Sequence, residues 1–116
     1  MEFGGYLRKV REQLRQSDAR FSVRQVAERA GIEPAYLSKI ERGEQAPPSE
    51  DTIRRLAAEL GEDPDVLLAL AGKVSQELQA IIRKRPQLFA SLIRELKNVP
   101  DRALLRIVRE VRDGDW

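Results

Sequence analysis

Side chains suited to acid–base or metal chemistry are limited in this sequence to carboxylates and basic groups. It contains 19 Asp and Glu and 21 Lys and Arg, but no cysteine and no histidine. Disulfides, zinc fingers, iron–sulfur clusters, thiol nucleophiles and imidazole bases are therefore excluded. The carboxylates are scattered among basic residues at helical spacing, and no glycine-rich phosphate loop occurs. We therefore expect no catalytic residue, no metal and no cofactor, and we predict that the protein is not an enzyme.

Helical periodicity dominates the elements that must position any functional group. Strand signals are absent, whereas apolar residues recur at helical spacing between capping residues. Five helices are predicted in the first part of the chain, at about 3–16, 22–30, 34–42, 49–60 and 63–70. Three more are predicted within 74–116. The prediction is an all-α protein with a boundary at Gly72-Lys73, which gives domains 1–72 and 73–116.

No segment of the sequence is apolar enough to cross a membrane. The longest uninterrupted apolar run, from Val66 to Ala71, is far below the ~20 residues that a spanning helix needs. The N-terminus lacks the basic stretch and apolar core of a secretion signal. We therefore expect a cytoplasmic protein that does not bind a membrane.

Residues 23–42, VRQVAERAGIEPAYLSKIER, predict two helices joined by a tight turn. The small Ala27 allows the helices to cross closely, and Gly31 accepts the positive φ that the turn requires. Five apolar residues would anchor both helices to the core, namely Val26, Ala30, Ile32, Leu37 and Ile40. The second helix is then held outward as a rigid probe that fits the major groove of DNA.

Residues 3–70 resemble the Cro/lambda-repressor-type helix-turn-helix family, also called XRE-like. The resemblance rests on this motif, on YLSKIERG at 36–43, on Pro48-Ser49 before the fourth helix, and on the stretches 53–61 and 63–68. It implies a five-helix lambda-repressor-like DNA-binding domain, followed here by a small three-helix C-terminal extension. It also implies that the third helix enters the major groove and that dimers bind near-palindromic operators.

The family reads bases from the start and outward face of the third helix, where this sequence has Pro34, Ala35, Ser38 and Lys39. Lys39 can donate to guanine O6 and N7, and Ser38 can bond to several bases. Ala35 offers only a methyl contact, and Pro34 has no polar side chain. Few side chains can therefore contact bases directly, and we expect the shape of the DNA to add specificity.

Contacts to DNA phosphates are expected from four residues, Ser22, Arg24, Tyr36 and Arg42. Two positions depart from the family's pattern. Val23 stands where the family often has glutamine, and Glu44 stands where a basic residue is common. Arg24 is the predicted substitute for the contact that Val23 cannot make.

The C-terminal region, 73–116, carries the excess positive charge of the chain. It has 10 basic and 6 acidic residues, against 11 and 13 in residues 1–72, so the first domain must concentrate its positive charge locally to bind DNA. The region also has three apolar stripes and a basic cluster at 83–85. Its helices could pack on the first domain, form a dimer, or bind a regulatory protein such as a peptidase or a toxin.

Together these features predict a transcriptional regulator, specifically a repressor that binds double-stranded DNA as a homodimer. Two alternatives remain open. One is an antitoxin or restriction-modification controller with a protein partner, which co-purification of a neighbouring gene product would identify. The other is a protein-interaction adaptor that has lost DNA binding, which would show no salt-sensitive binding to DNA.

Overall fold

The computed structural model describes residues 2–114 of the chain. This part contains eight α-helices, a 3₁₀ helix at Ala19–Phe21 and no β-strand, so the predicted all-α class is confirmed. The α-helices are α1 (Phe3–Arg15), α2 (Val23–Ala30), α3 (Pro34–Glu41), α4 (Glu50–Leu60), α5 (Pro64–Leu70), α6 (Gln76–Lys84), α7 (Pro86–Leu96) and α8 (Asp101–Asp113).

Capping residues fix the bounds of the motif helices. The Ser22 hydroxyl oxygen accepts a hydrogen bond from the backbone N–H of Gln25 at 3.2 Å, which satisfies a free donor at the start of α2. Gly31 ends α2 with a φ of 75°, a left-handed conformation that glycine adopts without a Cβ clash. Pro34 occupies the first turn of α3, where its missing N–H costs nothing.

The core of the first compact unit draws on all five of its helices. Thirteen apolar side chains are buried there, namely Phe3, Leu7, Val26, Ala27, Ala30, Leu37, Ile40, Ile53, Leu56, Ala57, Leu60, Leu67 and Leu68. Four of the five predicted anchors of the motif are among them, and the fifth, Ile32, is half-buried against the same core. Because these anchors bury the inner face of α3, its opposite face is available for contacts.

The first compact unit runs from the N-terminus to Gln76, a few residues beyond Gly72. The Lys73 ammonium donates to the carbonyl of Pro48 at 2.8 Å, and the backbone N–H of Gln76 donates to a Glu50 carboxylate oxygen at 3.1 Å. These two bonds hold the segment after α5 to the start of α4.

The segment between α1 and α2 contains the 3₁₀ helix, Ala19–Phe21. Asp18 caps it by accepting a hydrogen bond from the backbone N–H of Arg20 at 2.9 Å. The Arg20 guanidinium also donates to this carboxylate, and together these bonds lower the pKa of Asp18 to about 2. The cap turns the chain between α1 and α2.

The second compact unit begins at Glu77 and comprises most of α6 with α7 and α8. None of its described residues, 77–114, is buried, although several apolar residues are half-buried. The predicted apolar stripes therefore remain largely accessible in the isolated chain. Among residues 2–114, no helix is long and apolar enough to cross a membrane.

Candidate DNA interface

The outward face of α3 presents most of the residues predicted to read bases. Ala35 and Lys39 are exposed, whereas Ser38 beside them is half-buried. With Arg42 directly after the helix, they follow the spacing i, i+3, i+4 and i+7, which places all four on one side. Pro34 is half-buried in the first turn and offers only its ring.

The residues predicted to contact phosphate lie in different surroundings. The Ser22 oxygen is occupied as a cap, but its hydroxyl proton can still be donated. Arg24 is exposed and pairs with Glu28, with Arg24 Nε at 3.3 Å from Glu28 Oε1. Tyr36 is half-buried and packs against the core, so its ring also has a structural role.

Arg42 and Glu44 form a two-point ion pair beside this face. Arg42 Nε lies 3.2 Å from Glu44 Oε1, and Arg42 Nη2 lies 3.0 Å from Glu44 Oε2. The hydrogen bonds from Arg42, with its charge and that of Lys39, hold the pKa of Glu44 below its ordinary value. Glu44 is therefore anionic at neutral pH, and it would compete with any phosphate that approached the Arg42 guanidinium.

Replacing Glu44 with glutamine should strengthen DNA binding, because it frees Arg42 to contact a phosphate. We expect an affinity gain of about 3- to 10-fold near 0.1 M salt, and a salt slope steeper by about one counterion. Fluorescence anisotropy across a salt series measures both quantities.

The matched control for this prediction is Asp51→Asn on α4. Asp51 is exposed and pairs with Arg55 at 2.6 Å, so the substitution removes one carboxylate charge from a comparable ion pair outside α3. An equal gain from both variants would attribute the effect to net charge and would contradict a specific role for Glu44.

A small cleft of about 130 Å³ adjoins the outward face of α3. Its lining comes from α1, from the first residue of α2 and from the last turn of α3, and consists of Arg8, Arg11, Val23, Ser38, Glu41 and Arg42. Val23 contributes only aliphatic surface here, next to two predicted DNA contacts. The departure from the family's glutamine therefore removes a polar side chain at this edge of the interface.

A buried ion pair joins α1 to the C-terminal end of α3. Arg11 of α1 donates through Nε to Glu41 Oε2 at 2.7 Å and through Nη2 to Glu41 Oε1 at 2.8 Å. Its Nη1 donates to the carbonyl of Phe21 at 3.2 Å. Both charged side chains are only 4% exposed. Hydrogen bonding to Glu41 raises the pKa of Arg11 although burial opposes this, so the guanidinium stays charged and its bonds fix the end of α3.

The backbone of α1 also approaches the end of α3 closely at Gly4. A Cβ at this position would overlap the carbonyl oxygen of Ile40 and would lie 3.2 Å from the Cα of Glu41. Gly4 is buried between the two helices, so an added methyl group would have no solvent-filled space to occupy. Only glycine fits between the two helices without a shift.

Neither Arg11 nor Gly4 was among the predicted site residues. Arg11 does carry a sequence signal, because it lies four residues after Leu7 and three before Leu14 on the apolar side of α1. A charged residue within such a stripe indicates a buried partner. Gly4 gives no comparable signal, because the helix start tolerates glycine for several reasons.

Two contacts from α4 hold α2 in its orientation. Arg55 Nη1 donates to the carbonyl of Ala30 at 3.1 Å, at the end of α2. Arg29 Nε donates to Glu59 Oε2 at 2.7 Å. These two bonds fix α2 against α4, and Ala27 of α2 is buried in the core.

Two packed helices joined by a glycine turn, with the second exposing a polar face, define a helix-turn-helix protein. The chain matches the family model described as "Helix-turn-helix domain" over residues 2–70, which is more than half of its length. It belongs to the helix-turn-helix family, among the XRE-like regulators, and the resemblance drawn from the sequence is confirmed.

Two similar proteins come from bacteria. The uncharacterized HTH-type transcriptional regulator Rv0474 of Mycobacterium tuberculosis (strain H37Rv) is 38% identical over 84 residues, which cover 68% of this chain and 56% of the relative. The uncharacterized HTH-type transcriptional regulator RghRB of Bacillus subtilis (strain 168) is 38% identical over 72 residues, which cover 62% and 48%. The chain thus spans about half the length of these relatives. No solved structure is a significant match.

Proposed function

We propose that this protein is a sequence-specific DNA-binding repressor that binds a near-palindromic operator as a homodimer. In this proposal α1–α5 form the lambda-repressor-like domain, and α6–α8 form its C-terminal extension. The observation that carries the proposal is the outward face of α3, which displays Ser38, Lys39 and Arg42 from a helix whose inner side is buried. The names of the relatives, HTH-type transcriptional regulators, support the same function.

The mechanism follows from how α3 is held. The Arg11–Glu41 ion pair fixes its C-terminal end, and the Gly31 turn fixes its start relative to α2. A helix held in this way can enter the major groove without reordering, so little conformational entropy is lost on binding. An operator occupied by the protein excludes RNA polymerase. Because an operator is DNA inside the cell, this mechanism requires the protein to act in the cytoplasm.

Homodimer formation compensates for a weak single interface. Direct base contacts are few, and Glu44 neutralises Arg42 next to them. Two linked copies on two half-sites convert the second binding event into an intramolecular one, which raises the overall affinity without new contacts. Half-sites one helical turn apart, about 10–10.5 base pairs, fit such a pair.

Replacing Lys39 with alanine should cost about 1–3 kcal/mol of DNA-binding free energy and relax the preference at one base position. The reason is that, among the described residues, the exposed ammonium is the only long cationic donor on the part of α3 expected to face base edges. The measurement is the dissociation constant on the preferred site and on its single-base variants. Lys9→Ala, an exposed lysine on α1, is the control, and equal losses in both variants would contradict base readout by Lys39.

Equilibrium binding of the purified full-length protein to duplex DNA tests the proposal itself. Affinity should fall steeply as salt rises from about 50 to 200 mM, as phosphate contacts require, and a preferred duplex should outcompete random duplex. Absence of binding even at about 50 mM salt would contradict the proposal and would favour a protein-interaction adaptor instead.

A further inference from the structure

Aliphatic side chains of the second compact unit are exposed to an unusual degree. Nine of them are between 38% and 69% accessible, namely Leu78, Ile81, Leu88, Leu92, Ile93, Leu105, Ile107, Val108 and Val111. A helical unit of about 40 residues commonly completes its core by oligomerisation. Four of the nine exposed side chains lie on α8, so this helix carries a large part of the exposed aliphatic surface of the unit.

One stripe of α8 has a self-complementary order of side chains. Asp101, Leu105, Val108 and Arg112 are spaced by four, three and four residues, so they lie within about 60° of one another on the helix. Leu105 and Val108 are 59% and 56% exposed. Arg112 is exposed as well, and its Nε lies 3.7 Å from the exposed carboxylate of Asp113, an interaction that solvent screens.

The pairing of this stripe with itself follows from its symmetry. If a second α8 runs antiparallel about a two-fold axis, Leu105 lies opposite Val108 of the second copy. Asp101 then lies opposite Arg112 of the second copy, and the same two contacts recur on the other side of the axis. Each aliphatic side chain meets another, and each charge meets its opposite.

We propose that α8 is a dimerisation helix that pairs antiparallel with α8 of a second copy through Asp101, Leu105, Val108 and Arg112. The partner that fits this stripe is a second copy of the same helix. In an antiparallel pair, each aliphatic residue of the stripe faces an aliphatic residue, and each charge faces the opposite charge. DNA phosphates would be repelled by Asp101 and would leave the aliphatic residues exposed. This inference rests on the proposed homodimer, for which it supplies the interface.

Charge reversal followed by mixing tests the pairing in the full-length protein. Asp101→Arg places Arg opposite Arg twice in its own dimer, and Arg112→Asp places Asp opposite Asp twice. Each variant alone should dimerise at least about 10-fold more weakly than the wild type in sedimentation equilibrium. An equimolar mixture of the two should recover the wild-type affinity to within about 3-fold, because opposite charges then face each other at both contacts and the paired aliphatic residues are unchanged.

Arg106→Asp is the matched control, because Arg106 lies on another side of α8 with its side chain 80% exposed. It should dimerise like the wild type. A monomeric wild type, unchanged dimerisation of the single variants, or a mixture as weak as its components would each overturn the proposal. Recovery on mixing also shows that both variants are folded, and circular dichroism checks their helix content independently.

DNA binding by the same samples separates this inference from the proposed function. If the wild type is a dimer that binds a palindromic site, and the reversals leave dimerisation unchanged, the α8 interface is wrong and the function stands. If mixing restores the dimer but no sample binds DNA, the interface stands and the function is wrong.

Discussion

Replacing Glu41 with alanine is expected to destabilise the protein by about 3–5 kcal/mol, because it leaves the guanidinium of Arg11 buried without its carboxylate. The two side chains are joined by hydrogen bonds of 2.7 and 2.8 Å, and each is only 4% exposed. Arg11 then keeps only its bond to the uncharged carbonyl of Phe21 and a 4.0 Å approach to the solvent-exposed carboxylate of Glu12, which is a weaker partner. Urea unfolding followed by circular dichroism measures the loss as a lower midpoint at an unchanged slope.

The control for this prediction is Glu28→Ala on α2. Glu28 also pairs with an arginine, but its side chain is 60% exposed, so the loss should stay below about 1 kcal/mol. Replacing both buried partners together, as Arg11→Met with Glu41→Leu, should recover much of the stability because no unpaired charge remains. A loss below about 1 kcal/mol for Glu41→Ala would contradict the structural role given to the pair.

Replacing Gly4 with alanine should also destabilise the protein, by about 3 kcal/mol, although alanine normally stabilises a helix by about 1 kcal/mol over glycine. The reversed sign arises because the new Cβ would overlap the carbonyl oxygen of Ile40, so α1 and the end of α3 would have to separate. We expect a lower midpoint in thermal unfolding. We also expect weaker DNA binding, since Lys39 and Arg42 lie on the segment that would shift.

Gly61→Ala provides the comparison for Gly4→Ala. Gly61 has a φ of 69°, and apart from its immediate chain neighbours no described residue has an atom within 4 Å of the place that a Cβ would take. Its substitution therefore costs only backbone strain, about 1–2 kcal/mol. The two variants separate steric overlap from backbone conformation. A midpoint raised by Gly4→Ala would contradict the close approach of the two helices.

The helix bounds of the motif could be predicted from the sequence because they depend on local interactions. The Ser22 cap, the Gly31 turn and the Pro34 start each involve residues within a few positions, and the structure has all three. The polar face of α3 could be predicted in the same way. Its apolar residues recur every three or four positions and so define one face of the helix, which leaves the opposite face polar. Local rules were sufficient for these features.

The contacts that hold the end of α3 against α1 could not be predicted, because they join residues far apart in sequence. Arg11 and Glu41 are 30 residues apart, and the approach of Gly4 to Ile40 depends on how α1 crosses α3. Such contacts depend on tertiary packing, which periodicity does not specify. Likewise, the apolar stripe of α8 could be predicted, but which of its residues stay exposed, such as Leu105 and Val108, required the structure.

The most direct test of operator binding by α3 is selection of binding sites from random duplex DNA by the full-length protein near 0.1 M salt. We predict enrichment of an inverted repeat with half-sites about 10–10.5 base pairs apart. A parallel selection with Lys39→Ala should yield the same repeat with one base position relaxed in each half-site. If the wild type enriches no sequence over the input, the account of α3 as a DNA-reading helix is wrong.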